Sequence, residues 1–259
     1  GWMTLAALAA ATTRLHVGTL VTGVTYRHPA VLTKMVVTLD QITNGRAILG
    51  LGAAWHEAEH RMYGIPYPPV GERMGRLDEA LHVFRALTST PPGSTVDYAG
   101  RYYRLEQAVS DPAPVRPEGI PILVGGSGPR LKRIAARHAT MFNSFAAPWE
   151  WGAVNEELDG LLDAAGRSPS ALERTAFVFS ELSGDAEREA ELVAHFQRTR
   201  GGTDEEVRRR VVVGDPDRMI EVLRGYADAG IDMVILNLRP PYPLEGLQRF
   251  AREVLPAVG

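Results

Sequence analysis

The stretch LGLGAAWHEAEHRMYG, residues 49–64, holds two competing readings. Its second half spells His-Glu-x-x-His through His56, Glu57 and His60. Two histidines four apart on a helix share a face and can reach one metal, with the glutamate beside them as base. Glu79, nineteen residues after His60, stands at a spacing known for a third zinc ligand. Its first half, taken with the residues before it, is RAILGLG (46–52), an apolar run ending in glycine, which reads as a buried strand.

The strand reading wins. A zinc helix must hold both imidazoles rigidly within a long buried helix, yet Gly52 and Gly64 bracket this motif closely. Glu59 and Arg61 also place charge where a buried helix would carry neutral residues. The HEAEH stretch is expected to open a short exposed helix, with acidic residues near its N-terminal dipole. No metal site is expected.

Working outward, apolar runs alternate with helical patterns along the whole chain. Strands are expected near 15–21, 46–51, 120–124, 141–145, 175–180 and 233–238. They are continuous apolar runs, as in parallel strands buried on both faces. Helices are expected over Trp2–Thr12, from Pro29 to Asn44-Gly45, over 70–87, after Pro129, over Glu150–Ala165, near 186–200 and 215–229, and over 244–255. The 70–87 helix is the clearest, because Leu77, Ala80, Leu81, Phe84 and Leu87 keep one face apolar. Residues 95–105 read as a hairpin inside a surface insertion around 88–118. No linker or repeat divides the 259 residues, so one α/β domain is expected. Six strands suit either an open doubly wound sheet or most of an eight-stranded barrel.

Composition narrows the function classes. The formal net charge is −3 with no basic tract, which points away from nucleic acid and acidic membranes. The longest apolar run, Leu5–Ala11, is far short of the ~20 residues of a membrane span. The absence of cysteine excludes disulfides and thiol catalysis, and a cytoplasmic location is expected. Gly1-Trp2-Met3 runs straight into a helical pattern, so a natural N-terminal part is expected to be missing.

PILVGGSGPR (121–130) carries the strongest chemical signal. A strand ends in Gly125-Gly126-Ser127-Gly128, and Pro129 opens a helix. Such a turn aims backbone N–H groups and a helix N-terminus at an anion, with Arg130, Lys132 and Arg133 adding positive potential. The spacing fits neither G-x-G-x-x-G nor a Walker loop, so a phosphate is expected without a Rossmann or P-loop fold.

GTLVTGVTYRHPA (18–30), TLDQITNGRAILGLGAAWHEAEHRMYGIP (38–66), GERMGRLDEAL (71–81) and PILVGGSGPR, in that order, resemble the bacterial luciferase-like monooxygenase family. Its branch of oxidoreductases using the deazaflavin coenzyme F420 is the most similar. The resemblance extends to VVVGDPDRMIEVLRGYADAGIDMVILN (211–237). It implies a (β/α)8 TIM barrel of the luciferase-like type, here lacking its first two strands. In that branch an Asp-His pair near the reacting ring lies at the end of the second strand, ahead of these residues, so no general acid or base is named.

Other positions carry over singly. The resemblance implies a bulge with a non-proline cis peptide at Leu20–Val21, supporting the back of the ring system. Thr19, Thr22 and Thr25 would line the same region. Gly52, Ala53, Ala54 and Trp55 would form the wall facing the cofactor, with Trp55 closing the substrate pocket. Some sugar-phosphate dehydrogenases of the branch carry a catalytic glutamate at the position of Trp55, which counts against a sugar phosphate. Gly125, Gly126, Ser127 and Gly128 would cradle the cofactor phosphate, whereas Arg27 and His28 read as structural. The implied function is hydride transfer between F420 and a small organic substrate, in a homodimer. An FMN-dependent monooxygenase and a non-catalytic flavin- or deazaflavin-binding protein are the alternatives.

Overall fold

The computed structural model describes residues 1–258, which group into two compact units. The first holds residues 1–142 and 165–167, and the second holds 143–164 and the chain from Ser168 onward.

The first unit opens with α1 (Trp2–Ala10) and two short strands, β1 (Val17–Gly18) and β2 (Thr22–Gly23). Then come α2 (Pro29–Thr43), β3 (Ala47–Gly52), α3 (Glu57–Met62) and α4 (Val70–Ser89). The antiparallel hairpin β4 (Val96–Ala99) and β5 (Arg104–Ala108) precedes β6 (Ile122–Gly125) and α5 (Pro129–His138). Both β1 and β2 pair in parallel with β3, and β3 pairs in parallel with β6. The chain passes into the second unit along β7 (Met141–Ser144).

Local chemistry sets the helix limits. The His28 ring accepts from Ala30 N at 3.2 Å and Pro29 fills the first turn of α2. Asn44 ends that helix in the left-handed region at φ 52°, a conformation Asn tolerates. The face of α4 foreseen from its periodicity is buried, and α4 packs on α2. Leu77 and Leu81 are fully buried there, each contributing about 1.5–3 kcal/mol from burial. Arg46, just before β3, gathers the end of α1: its guanidinium donates to the carbonyls of Ala9, Thr12 and Leu15, and its Nε to Thr43 O. Trp2 is the other anchor of α1, buried and donating to Thr22 Oγ1 at 3.3 Å.

The second unit contains α6 (Trp151–Ala164), β8 (Glu173–Phe179), α7 (Ala186–Arg200), α8 (Asp204–Arg208), α9 (Pro216–Asp228), β9 (Met233–Asn237), α10 (Leu244–Glu253) and α11 (Leu255–Val258). β8 and β9 are parallel, in register from Thr175↔Met233 to Phe179↔Asn237. Leu192, Val193, Phe196, Val207, Val211 and Val213 form a core against Phe179. Among the described residues no helix is long and apolar enough to cross a membrane.

Two expectations need correction. The run 15–21 is not one continuous buried strand. It holds only β1, with Leu15 and Leu20 exposed, and pairing resumes beyond it in β2. The helix α8 was not foreseen. It forms because Thr203 and Glu206 cap each other's backbone, a pairing spelled Thr-x-x-Glu in the sequence.

Candidate active site

In parallel α/β architectures ligands gather at the carboxyl ends of strands. In the first unit these ends belong to β2, β3 and β6. The register of the broken strand is informative. Gly18 pairs with Ile48 and Thr22 with Leu51, so Thr19, Leu20 and Val21 stand opposite only Leu49 and Gly50. One extra residue on one strand is a β-bulge. The peptide between Leu20 and Val21 is cis, at the place the family resemblance implies.

Gly50 makes room for this bulge, since a Cβ there would fall 1.7 Å from Thr19 O. Thr19 Oγ1 in turn donates to Gly50 O at 3.0 Å. Beyond the bulge the strand ends line up. Gly23 pairs with Gly52, and one residue past the Leu51↔Val124 pair, Gly52 stands beside Gly125. Three adjacent strands therefore end in glycine, and the side chains of Val21 and Tyr26 pack against two of these ends. A Cβ on Gly52 would lie 2.7 Å from Val21 Cγ2, and one on Gly23 2.8 Å from Tyr26 Cε2. The chain turns after Gly52 through Ala53 and Ala54, the latter at φ 62°, and Trp55 projects 81% exposed.

The glycine loop continues from the end of β6. Gly126 has φ 141°, and a Cβ there would strike Leu131 Cδ2 at 2.5 Å. Gly128 occupies the cap position of α5 with no side-chain cap, and Pro129 follows. The first free N–H groups of α5 thus face outward beside the exposed Ser127, in a setting suited to an anion. The flanking cations contribute less than their spacing implied. Arg130 donates to Gly71 O at 2.9 Å, and the Lys132 side chain is buried.

HEAEH supports the wall of this site. His56 is the cap residue of α3 and lies outside the helix, its Nδ1 accepting from Glu59 N at 3.0 Å. His60 is fully buried, with Nδ1 2.8 Å from His56 O and Nε2 2.7 Å from Thr25 Oγ1. A carbonyl only accepts, so Nδ1 carries the proton, and in the neutral ring the Thr25 hydroxyl donates to Nε2. Tyr26 and Tyr67 pack on the imidazole at 4.6 and 4.7 Å. Arg73 lies over Tyr67 and donates to Ala53 O at 3.0 Å. Tyr26 donates to Glu59, and burial together with that carboxylate pushes its pKa up to about 12. Glu79 accepts from the backbone N–H groups of Arg101, Tyr102 and Tyr103 and holds the hairpin loop.

Beside Thr25 opens a cleft of ≈ 300 Å³, lined among others by Val24, Arg27, His28, Arg76 and Tyr103. Arg76 is paired with Glu72 at 2.8 Å, and His28 meets the Tyr103 ring edge-on at 5.3 Å. All the expected cofactor residues, Thr19, Leu20, Val21, Thr25, Gly52, Ala53, Trp55, Gly125, Gly126, Ser127 and Gly128, lie in this first unit. His60, Tyr26 and Arg73 were not foreseen as a supporting cluster. Nothing in local spacing links His60 to Thr25, which is thirty-five residues earlier.

Known proteins place the chain. It is 29% identical to an F420-dependent glucose-6-phosphate dehydrogenase of Intrasporangium calvum, over 98% of this chain and 83% of that protein. Among solved structures it is similar to an F420-dependent secondary alcohol dehydrogenase in complex with an F420-acetone adduct. That match has a TM-score of 0.87 and 22% identity, and covers 100% of this chain and 84% of the other. It is also similar to the coenzyme F420-dependent tetrahydromethanopterin reductase of Methanopyrus kandleri, with a TM-score of 0.79 and 20% identity, covering 100% of this chain and 87% of the other. These likenesses establish the α/β barrel fold class. The description of the luciferase-like monooxygenase family matches residues 1–202. The chain belongs to the luciferase-like monooxygenase family.

Proposed function

We propose that the protein is an oxidoreductase moving a hydride between the deazaflavin coenzyme F420 and a small organic substrate. The observation that carries this reading is the bulge at Leu20–Val21, set at the glycine ends of β2, β3 and β6. The names of the relatives support the same cofactor.

When bound, the deazaflavin supplies the hydride chemistry, and the protein supplies orientation and electrostatics. Leu20 and Val21 back the ring, and Thr19 and Thr25 offer hydroxyls at its edge. Gly52 and Ala53 form the adjacent wall, and Trp55 bounds the substrate side. Gly125, Gly126, Ser127 and Gly128 hold the phosphate against the N-terminus of α5. His60 fixes the Thr25 hydroxyl.

The same reading takes the protein as a cytoplasmic homodimer. Light scattering tests the assembly, and a monomer at micromolar concentration counts against it. The cofactor is tested by titrating the purified chain with F420 and, separately, with FMN. Saturable F420 binding supports the reading, and FMN binding without F420 binding overturns it.

A further inference from the structure

The second unit carries a cluster that the cofactor reading leaves unused. Phe177 and Phe179 are alternate residues of β8 and so project from one face. Phe145, directly after β7, meets Phe177 with ring centroids 5.0 Å apart, and Phe177 meets Phe179 at 5.6 Å. The register pairs Phe177 with Ile235 and Phe179 with Asn237, so β9 extends this floor and adds an amide at its end. The floor is not sealed. Phe145 is 39% exposed, and Phe177, Phe179 and Ile235 are only partly buried.

Two cations stand over it. The Arg200 guanidinium lies 4.6 Å from the Phe145 centroid, and that of Arg239 lies 5.7 Å from the Phe179 centroid. Both arginines are exposed, and neither has a carboxylate partner among the described residues. Arg210, by contrast, lies over Phe196 and is paired with Glu150 at 3.5 Å. An open aromatic floor with uncompensated guanidinium groups at its rim favours a ligand with a flat apolar body and an anionic group. The body can stack edge-to-face with the rings, and the anion can take paired N–H donors from an arginine. A sugar phosphate suits the floor poorly, because its hydroxyls would meet rings that accept no ordinary hydrogen bond.

We propose that this shelf is a binding site that takes an aryl carboxylate, or a similar planar apolar anion, in preference to a sugar phosphate.

The test is calorimetric titration of the full chain without cofactor, using 2-naphthoate, 2-naphthalenemethanol and glucose 6-phosphate. Expected are saturable naphthoate binding, weaker binding of the neutral alcohol, and no competition from the sugar phosphate. The double variant R200Q/R239Q should weaken naphthoate about tenfold and leave the alcohol unchanged. Both arginines are exposed, and unchanged circular dichroism confirms that the variant folds. Phe177→Leu should weaken both naphthyl compounds. Three results overturn the proposal: no naphthoate binding at millimolar concentration, a double variant that binds naphthoate as the wild type does, or displacement of naphthoate by an equal concentration of glucose 6-phosphate. A chain that binds naphthoate but no deazaflavin keeps the shelf and sinks the cofactor assignment. The converse sinks the shelf alone.

Discussion

Thr25 Oγ1 and His60 Nε2 are 2.7 Å apart, joining the loop after β2 to a ring that is completely buried. That ring is also held by His56 O, Tyr26 and Tyr67. His60→Ala removes two hydrogen bonds and the packing of a full ring at once. A loss of about 2–4 kcal/mol is expected in urea denaturation. Thr25→Val leaves the buried Nε2 without its donor, which should cost about 1–3 kcal/mol, and should weaken F420 binding by a few-fold. Equal binding by wild type and T25V would remove Thr25 from the site.

Glycines divide into two kinds. Gly50→Ala places a methyl group 1.7 Å from Thr19 O, a clash that only backbone movement relieves. It should destabilise by several kcal/mol, on the order of the worst overpacking changes, or prevent folding. Gly152 and Gly160 lie within α6 with nothing within 4 Å of an added Cβ. Alanine at either should raise stability by about 0.5–1 kcal/mol. Thermal unfolding of the three variants checks the contrast.

Gly52→Ala tests the packing behind the bulge directly. Its Cβ would press on Val21 Cγ2 at 2.7 Å and shift one side of the bulge. We expect F420 affinity to fall about tenfold, near 1.4 kcal/mol, while the chain stays folded. Fluorescence titration reads the first quantity and circular dichroism the second.

Acid should destabilise the fold through His138. Burial lowers its pKa below the ordinary histidine value, and Asp78 only partly offsets this. The folded state therefore holds fewer protons than the unfolded one. The contribution of the neutral ring is complete above about pH 6.5 and is lost as pH falls below that through the folded value. His138→Gln should flatten the stability–pH curve in that window, as measured by denaturation at closely spaced pH values. An unchanged curve would show that the ring does not titrate there.

HEAEH should bind no metal stoichiometrically. His60 uses both ring nitrogens within the fold, His56 uses its Nδ1, and Glu79 is taken by three backbone N–H groups. Elemental analysis after zinc exposure and dialysis should find less than one equivalent, and EDTA should leave the Tm unmoved. Glu79→Ala should loosen the 100–103 loop at a cost of about 2 kcal/mol.

The strands and α4 were legible because each follows from a short run of sequence. Leu77, Leu81 and Phe84 repeat at helical spacing, and RAILGLG is apolar without a break. The turn at Asn44 and the glycine turn from β6 into α5 were legible for the same local reason. The break between β1 and β2 was not, since GTLVTG looks uniformly strand-like and the extra residue exists only relative to β3. The bulge came instead from the family resemblance. The link from His60 to Thr25 and the cluster of Phe145, Phe177 and Phe179 lie further out of reach. Their members are distant in sequence, and only tertiary packing brings them together.

Arg46 also has a bearing on how the molecule opens. The guanidinium that collects the last carbonyls of α1 sits on the residue just before β3, while Trp2 is pinned to β2 through Thr22. Few other side chains of α1 are buried. The helix is thus a clasp with two fasteners, and it should detach as one cooperative piece once both let go. Its amides would then exchange hydrogen together, ahead of those of β3, and a protease would find Ala10–Thr13 before any other part of the first unit.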